Sequence, residues 1–328
     1  MIKPSVHRLF DGPIIEPATH PSIGHNIQGP SLIRAPSWLS DPLGRYYLYF
    51  ADHQGAYIRL ATADDLGGPW TVHEAGSLQL ADSGFLTSPP EVTGEMEAAA
   101  RTWIAELGVE LSYDPIPDML TPHVASPDVH VDDATQTIVM YFHGLEKFGH
   151  QSTHVATSTD GITFTTVGDT IPSTYVRAFH HDGFTYALAM PGQFYRSVDG
   201  RTDFEVGPLL FEQNMRHAAL LRHGSTMCVF WTRVEDEPES ILLSTIDTSG
   251  DWSTWSTVDH GVILRPDMPW EGAGEPIGRS ERGRAFGRVH QLRDPCVFQD
   301  DGRTFLLYAV AGESGIAVAE LDLGGLPS

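Results

Sequence analysis

Short apolar runs alternate along the chain with polar turns. Runs such as YYLYF (residues 46–50), MCVFW (227–231) and FLLYAVA (305–311) are rich in aromatic and branched side chains. Glycine, proline and aspartate mark the segments between them, and the chain holds 32 glycines and 23 prolines. Runs of this length between turn signals predict β-strands. Because only EMEAAARTWIAEL (residues 95–107) has the spacing of an amphipathic helix, the pattern predicts an all-β fold with one short helix.

A sequence pattern that predicts three strands occurs five times. It consists of an apolar strand, a turn with Asp or Gly, a second strand ending in aromatic residues, and a third strand with an Ala-Thr or Ser-Thr pattern before an Asp-Gly-like turn. The copies span residues 30–71, 126–165, 175–207, 216–256 and 293–323. The equivalent residues Thr157, Ser197 and Ser244 are 40 and 47 residues apart, and a propeller blade takes ~40–50 residues. Each copy is therefore predicted to be one blade.

The repeat predicts a single domain, a five-bladed β-propeller spanning residues 1–328. A β-sandwich is the alternative, but it gives no reason for one pattern to recur five times. The predicted blades cover about residues 26–73, 123–168, 174–208, 215–257 and 291–324. Two insertions, at about 74–122 and 257–290, separate them, and the first contains the short helix. We expect the N-terminal segment around residues 6–15 to add a strand to the last blade and so hide an edge.

The charge balance limits the partners of the protein. The chain has 43 acidic and 20 basic residues and a formal net charge of −23, so we expect neither nucleic acid nor an anionic membrane as a partner. Two cysteines, Cys228 and Cys296, cannot form a disulfide framework. No apolar run approaches the ~20 residues of a membrane span, and the N-terminal segment lacks the apolar stretch of a signal peptide. We therefore expect a soluble, cytoplasmic protein, of an oligomeric state that remains open.

Polar residues near the predicted inner strands are the candidates for a functional site. The innermost strand of each blade lines the central channel, so these residues are expected to meet at one mouth. They combine carboxylates, amides, imidazoles and guanidinium groups: Gln28, Asp52, His53, Asp128, His130, His143, Arg177, Arg216, His217, Arg293, Asp294 and Glu313. This mixture predicts a polar ligand site in the channel.

Blade five, LRDPCVFQDDGRTFLLYAVAGESGIAVAELDL (residues 292–323), resembles the repeat of the five-bladed glycoside hydrolases of families 43, 32, 68 and 117. Blade one and blade two carry similar phrases, and R-D-P before V-F is the most diagnostic motif. The resemblance covers most of the chain outside the two insertions. It implies a glycosidase that cleaves a terminal sugar from an oligosaccharide, with carboxylates at the channel mouth.

The resemblance also implies roles for individual residues. The two aspartates of such a site match Asp128 in S-P-D-V and Asp294 in R-D-P. The general acid is assigned to Glu313, with Glu275 of the second insertion next and Glu239, before the third strand of blade four, as a further candidate. The remaining polar candidates, with Gln28, Arg216 and Arg293 among them, would bind sugar hydroxyls, and Trp270 would stack on a sugar face.

The chain departs from family 43 at two positions. An acid is expected on the first inner strand, where this chain has Gln28-Gly29-Pro30-Ser31, and Arg177 replaces the expected glutamate of blade three. The chain is thus predicted to be a divergent member with relocated acids or with histidine as the acid. A propeller that binds carbohydrate without cleaving it is one alternative, and a metal-dependent lyase or hydrolase with a histidine-rich channel is another.

The 16 histidines raise the question of a metal. No cofactor is required by the proposed chemistry, but ions occur in the central channels of the resembled families, so a structural Ca²⁺ in the channel is considered. Calcium is favoured over zinc because no H-x-x-x-H or C-x-x-C spacing exists. The sequence leaves the metal ligands, the sugar and the linkage open.

Overall fold

The computed structural model describes residues 4–106, 108 and 111–324. The predicted helix ends at Leu107, which lies outside the described residues, and the observed helix α1 is Gly94–Glu106, followed by α2, Ile116–Leu120. Four short 3₁₀ turns lie at Pro21–Ile23, Leu80–Asp82, Trp252–Thr254 and Pro269–Glu271. In chain order the strands are β1 Ser5–Arg8, β2 Gln28–Arg34, β3 Tyr46–Ala51, β4 Tyr57–Ala63, β5 Thr71–Gln79, β6 Val124–Asp132, β7 Thr137–Lys147, β8 His150–Ser158, β9 Thr165–Ile171, β10 Arg177–His181, β11 Phe184–Ala189, β12 Gln193–Ser197, β13 Glu205–Leu209, β14 Met215–His223, β15 Thr226–Arg233, β16 Ile241–Asp247, β17 Thr257–Leu264, β18 Arg293–Asp300, β19 Arg303–Ala309 and β20 Ile316–Asp322.

The strands form five antiparallel sheets of four strands, and the predicted five-bladed propeller is confirmed. Four sheets are consecutive meanders, β2–β5, β6–β9, β10–β13 and β14–β17, and the fifth has the order β1-β20-β19-β18. Each blade thus has a fourth, outer strand beyond the three of the sequence pattern. The first strands β2, β6, β14 and β18 contact one another from sheet to sheet, as β10 does with β14, so these five strands surround the channel.

The core consists of five apolar clusters, and each lies between two neighbouring blades. The cluster of blades one and two, for example, packs Tyr49 and Leu60 against Met140 and Phe142. The other clusters join blades five and one, four and five, three and four, and two and three. Because every blade buries both of its faces in this way, removing one blade would expose two apolar surfaces.

A polar contact accompanies this packing and explains the Asp-Gly turns of blades two and three. The Tyr49 hydroxyl of blade one donates to the carbonyl of Gly161 in blade two over 2.7 Å. Tyr141 of blade two donates in the same way to Gly200 of blade three over 2.8 Å. Both glycines have positive φ, at 72° and 68°, so the turn favours glycine at the position that approaches the tyrosine.

The N-terminal strand closes the ring, as predicted. β1 pairs antiparallel with β20, from Ser5 opposite Asp322 to Arg8 opposite Ala319. Arg8 then donates from Nε and Nη2 to the two carboxylate oxygens of Glu271, each over 2.7 Å. Glu271 is fully buried and also accepts from the Tyr308 hydroxyl over 2.9 Å. The closure therefore combines a strand pair with a buried ion pair.

The connections between blades differ in extent from the predicted insertions. Since β5 continues to Gln79 and β17 occupies Thr257–Leu264, the two long connections run over residues 80–123 and 265–292. The predicted ends of blades one and four came too early because the outer strands β5 and β17 are partly exposed and lack the apolar pattern of the other strands. Among the described residues, no helix is long and apolar enough to cross a membrane.

Replacing Arg8 tests the closure. Arg8→Ala would leave the buried Glu271 carboxylate without its cation, and we expect the free energy of unfolding to fall by about 3–5 kcal/mol. Urea unfolding followed by tryptophan fluorescence measures the change. Arg303→Ala, which removes an exposed partner of Glu320, is the matched control and should scarcely move the midpoint. Equal midpoints for the two variants would contradict a stabilising role of the Arg8–Glu271 pair.

Candidate functional site

The inner strands begin with a shared irregularity. The pairing register shifts between Gln28 and Ser31 in β2, with equivalent shifts in β6, β14 and β18. In three of these strands a proline follows a residue with positive φ: Gly29 at 60°, Ser126 at 47° and Asp294 at 47°. Asp294 is thus the structural equivalent of Ser126 and holds a conformation that favours glycine. Such strain in a non-glycine residue occurs preferentially at functional sites.

A network of buried charges lies at the starts of β14 and β18. Arg293 donates from Nη1 to Glu313 over 2.9 Å, and its Nε lies 3.5 Å from Glu239. Arg216 donates to Glu239 over 3.2 Å. All four side chains are at most 3% exposed. The two guanidinium groups and the two carboxylates therefore neutralise one another away from water, as buried charges require.

Two neighbours complete the surroundings of Glu313. Asn26 donates from Nδ2 to Glu313 Oε2 over 2.5 Å, and His53 Nδ1 lies 3.3 Å from Oε1. Burial opposes ionisation of Glu313, but His53 and the arginines Arg293 and Arg216 outweigh it and hold its pKa well below the ordinary value. Glu313 is therefore a carboxylate at neutral pH.

Asp294 lies beside this network, but its surroundings favour the protonated form, in contrast to those of Glu313. It is 1% exposed, and neither carboxylate oxygen has a hydrogen-bond partner among the described residues. Burial, followed by the negative charge of Glu313, raises the pKa of Asp294 to about 7, despite the nearby arginines. Asp294 is therefore protonated over much of the range below neutrality.

His217 contacts Asp294 on both sides of its ring. The backbone amide of Asp294 donates to Nδ1 over 3.2 Å, and Nε2 lies 3.2 Å from Oδ1. Burial and then Arg216 hold the pKa of His217 well below its ordinary value, so the ring is neutral and its single proton lies on Nε2. Tyr175, at positive φ, packs its ring between His217 and His143 at 4.6 and 4.5 Å. Tyr175 thus packs against His217, and His217 in turn contacts Asp294.

Asp128 and His130 lie in a different compartment. They line an open cavity of about 1130 Å³ together with Arg177 and Cys296, whereas Asp294 and Glu313 do not line it. Asp128 accepts from His130 over 2.7 Å and from the amide of Ala178 over 2.7 Å. Burial favours the neutral acid, but His130 and Arg177 lower the pKa of Asp128, and Asp128 in turn raises that of His130.

Arg177 separates the two compartments. Its Nη1 donates to the carbonyl of Pro127 in blade two, and its Nε donates to that of Ala218 in blade four, each over 2.9 Å. The side chain is 7% exposed and thus joins blade three to both of its neighbours. The expectation that all candidates meet at one mouth is therefore corrected: Asp294, Glu313, Arg216, His217 and Arg293 cluster, whereas Asp128 and His130 do not join them.

The remaining candidates occupy several places. Gln28 and His143 are buried beside the cluster, and Gln28 accepts from Ser126 over 3.1 Å. Asp52 is 31% exposed and lies 3.4 Å from Arg59. Glu275, in contrast, is 37% exposed and lies 3.6 Å from Arg288, so it is part of the surface of the second long connection. Trp270 packs against the apolar cluster of blades four and five, which accounts for its ring.

Sequence reasoning missed two members of the cluster and placed a third, Glu239, after Glu313 and Glu275 as a candidate acid. Glu239 precedes β16, Gln291 accepts from Nε and Nη2 of Arg293, and Tyr175 precedes β10. No motif marks these residues. Only a buried arginine in R-D-P, which requires acceptors somewhere in the chain, could have suggested them.

Metal binding has little support in the described part of the chain. No group of three or more His, Cys, Asp or Glu side chains there is placed to hold a metal ion. The calcium ion considered from the resemblance thus stays a prediction without a ligand set, and no observation favours a metal-dependent reaction.

Solved structures with the same fold are glycoside hydrolases. CoXyl43, a β-xylosidase/α-arabinofuranosidase from a compost metagenome solved with xylotriose, is 12% identical and aligns over 98% of this chain and 97% of its own, with a TM-score of 0.57. An α-L-arabinanase of Cellvibrio cellulosa, complexed with arabinohexaose, is 12% identical over 92% and 95%, with a TM-score of 0.53. A thermostable family-43 glycoside hydrolase aligns over 90% and 89%, with a TM-score of 0.53 and 13% identity. These likenesses confirm the implied fold.

Sequence comparison finds a nearer relative. No family model matches the chain. Uncharacterized protein R118 of Acanthamoeba polyphaga mimivirus is 35% identical over 325 residues, which cover 90% of this chain and 83% of that protein. With this identity over nearly the full length of both proteins, the chain belongs to the same family as R118.

Proposed function

We propose that this protein is a glycoside hydrolase that cleaves a terminal sugar from an oligosaccharide. The observation that carries the proposal is a pair of buried carboxyl groups, Asp294 and Glu313, whose surroundings push their pKa values in opposite directions. A protonated acid beside an ionised carboxylate is the arrangement that glycoside hydrolysis uses. The fold supports the same conclusion, since structures of this fold have been solved with xylotriose and with arabinohexaose.

Asp294 would act as the general acid in place of Glu313, the residue that the resemblance implied, because Glu313 is ionised. The Asp294 proton would pass to the glycosidic oxygen as the bond between this oxygen and the anomeric carbon breaks, and the remainder of the oligosaccharide would leave with both electrons of that bond. Glu313 would stabilise the positive charge that develops on the ring of the terminal sugar; as a base it would take a proton from the water that attacks the anomeric carbon, and as a nucleophile it would bond to that carbon until water displaces it. Neutral His217 would position Asp294 through its two contacts. Arg216 and Arg293 would bind sugar hydroxyls.

A carbohydrate-binding propeller without catalysis is the second candidate. Gly29 stands on the first inner strand where the resembled family has an acid, and this absence favours binding alone. The two candidates differ in a direct assay. A panel of aryl glycosides and xylo- and arabino-oligosaccharides either yields product or is bound without change.

Removing either carboxyl group should abolish turnover. For Asp294→Asn and Glu313→Gln we expect kcat/KM on a cleaved glycoside to fall at least ~100-fold, because each loses a proton-transfer or charge-stabilising group. Initial rates measure the loss, and thermal melting checks that each variant is folded. The matched controls Asp247→Asn and Glu205→Gln change side chains on the outer surface of the propeller and should keep the rate.

The same series tests where the chemistry takes place. Asp128→Asn alters the open cavity and is expected to lower the rate far less than Asp294→Asn. If Asp128→Asn alone abolished turnover, the reaction would belong to the open cavity and the assignment of Asp294 would be wrong.

The activity should depend on pH through Asp294. Because the acid must be protonated and its pKa is about 7, kcat/KM should fall as pH rises through 7. Glu313 stays ionised far below this range, so the rate should hold on the acidic side until other groups titrate. A rate profile from pH 4 to 9 measures this limb. A rate that increases between pH 6 and 8 would contradict the role of Asp294.

The stability of the folded protein should depend on the ionisation of Asp294 even when no substrate is present. Folding raises the pKa of Asp294 from 3.8 to about 7, so the stability that the proton contributes is complete below about pH 4 and is lost as pH rises to 7. Relative to Asp294→Asn, which stays neutral, the native protein should lose stability by on the order of 4 kcal/mol across that range. Paired urea unfolding curves at pH 4.5, 6 and 8 measure the difference. A difference that does not change with pH would show that Asp294 has an ordinary pKa.

A further inference from the structure

A short arginine-rich segment covers the buried cluster. Residues 279–288, RSERGRAFGR, carry four of the 18 arginines of the chain, and Gly278 precedes them. The segment belongs to the long connection between β17 and β18 and contains no helix or strand. It approaches the channel at the end where the inner strands begin. We call it the lid segment.

The lid segment binds the charged side chains of the cluster through its backbone. The carbonyl of Gly283 accepts from Arg216 and, over 3.1 Å, from Arg293. The carbonyl of Glu281 accepts from Arg216 over 3.0 Å, and the amide of Ala285 donates to Glu313 over 3.2 Å. Two neutral acceptors and one neutral donor thus satisfy the same side chains that would bind a sugar.

Sugar hydroxyl groups offer the same chemistry as these backbone groups. A hydroxyl accepts from a guanidinium group and donates to a carboxylate, and it carries no charge. Arg216 and Arg293 also form ion pairs with Glu239 and Glu313, which lie outside the lid segment. Because the guanidinium charges are already balanced, a neutral sugar suits the place better than an anionic one.

We propose that the lid segment occupies the sugar subsite and must leave it before a neutral glycoside binds. This inference rests on the proposed function for the identity of the ligand, whereas the opening of the lid segment can be tested alone. The lid segment would act as an autoinhibitory contact, and the closed state would lower the apparent affinity for sugar by the fraction of molecules that are open.

The contacts that hold the lid segment closed are mainly polar. At its start Ser280 is buried and exchanges backbone hydrogen bonds with Glu235 and Asp236, and Arg282 donates to the carbonyl of Gln213 over 2.9 Å. The Tyr113 hydroxyl donates to the carbonyl of Arg282 over 3.0 Å, and Ser112 donates from its hydroxyl to Glu281 over 2.9 Å. Arg284 donates to Gln54 over 2.8 Å. Phe286 is 57% exposed, so its ring contributes little burial. Segments with little apolar burial open at low cost without unfolding the rest of the protein.

Glycines allow this movement at the middle and the end of the lid segment. Gly283 and Gly287 have positive φ, at 99° and 84°, which side chains other than glycine rarely adopt. The outer anchors Ser112 and Tyr113 lie outside the buried cluster. They can therefore be changed without altering Arg216, Arg293, Asp294 or Glu313.

The double variant Ser112→Ala/Tyr113→Phe tests the lid. Loss of two hydrogen bonds should raise the open fraction roughly tenfold. Hydrogen–deuterium exchange of peptides from residues 279–288 should accelerate by the same factor, while peptides from β19 keep their rate. Tyr57→Phe, which removes a hydroxyl contact with Ser22 remote from the lid segment, is the matched control and should change neither rate.

Sugar binding is tested on the same proteins. With a glycoside that the protein cleaves, the double variant should have a KM roughly tenfold lower and an unchanged kcat. Saturating sugar should also accelerate exchange in the lid peptides, since bound sugar keeps the lid segment out. Slower exchange with sugar bound, or lid peptides that exchange only with global unfolding, would overturn the proposal.

The two proposals fail in different ways. If the lid peptides exchange rapidly but the protein cleaves no glycoside, the proposed hydrolase activity is wrong and the opening of the lid segment is supported. If the protein cleaves a glycoside but its lid peptides exchange no faster than the β19 peptides, the opening of the lid segment is wrong and the hydrolase activity is supported.

Discussion

Buried charge must be compensated, and this requirement organises the end of the channel where the inner strands begin. Two arginines and two glutamates lie there at no more than 3% exposure, and each ion pair joins different parts of the chain. Arg216 and Arg293 belong to adjacent inner strands, whereas Glu239 and Glu313 lie in the connections between the second and third strands of blades four and five. Burial and the negative charge of Glu313 raise the pKa of Asp294 to about 7, and the nearby arginines, which are already paired, do not offset this effect.

The closed ring holds these groups in register. Each blade buries both faces against its neighbours, and the tyrosine–glycine hydrogen bonds repeat the contact between blades one, two and three. The last interface depends on β1, which joins β20, and on Arg8, which compensates the buried Glu271. An opened ring would separate β18 from β2 and let water reach Asp294, whose raised pKa depends on burial.

The fold could be predicted because its contacts repeat. In blades two and three the glycine of the Asp-Gly turn meets a tyrosine of the preceding blade, and R-D-P identified Asp294 and Arg293. Asp128 and Asp294 were assigned to one site because the S-P-D-V and R-D-P motifs both resemble the motifs that carry the carboxylates of the glycoside hydrolases. Asp294 precedes its proline, however, and Asp128 follows Pro127, so the strand irregularity places them at different levels of the channel.

The partners of the site could not be predicted for a related reason. Glu239 lies in the short connection between β15 and β16, and the lid segment lies in the second long connection; neither segment has the periodicity of a strand. Glu275 and Trp270 were predicted as site residues because they lie in an insertion that was expected to shape a pocket. The second long connection does reach the site, but through the backbone of residues 281–285 rather than through those side chains.

A direct titration of Asp294 tests the central claim, that a protonated acid and an ionised carboxylate share this site. Carbon-13 NMR of the aspartate carboxyl groups, with Asp294→Asn to assign the resonance, follows its ionisation in the folded protein. We expect a midpoint near pH 7. A midpoint near 4, the ordinary value for aspartate, would mean that Asp294 is ionised beside Glu313 and cannot serve as the acid.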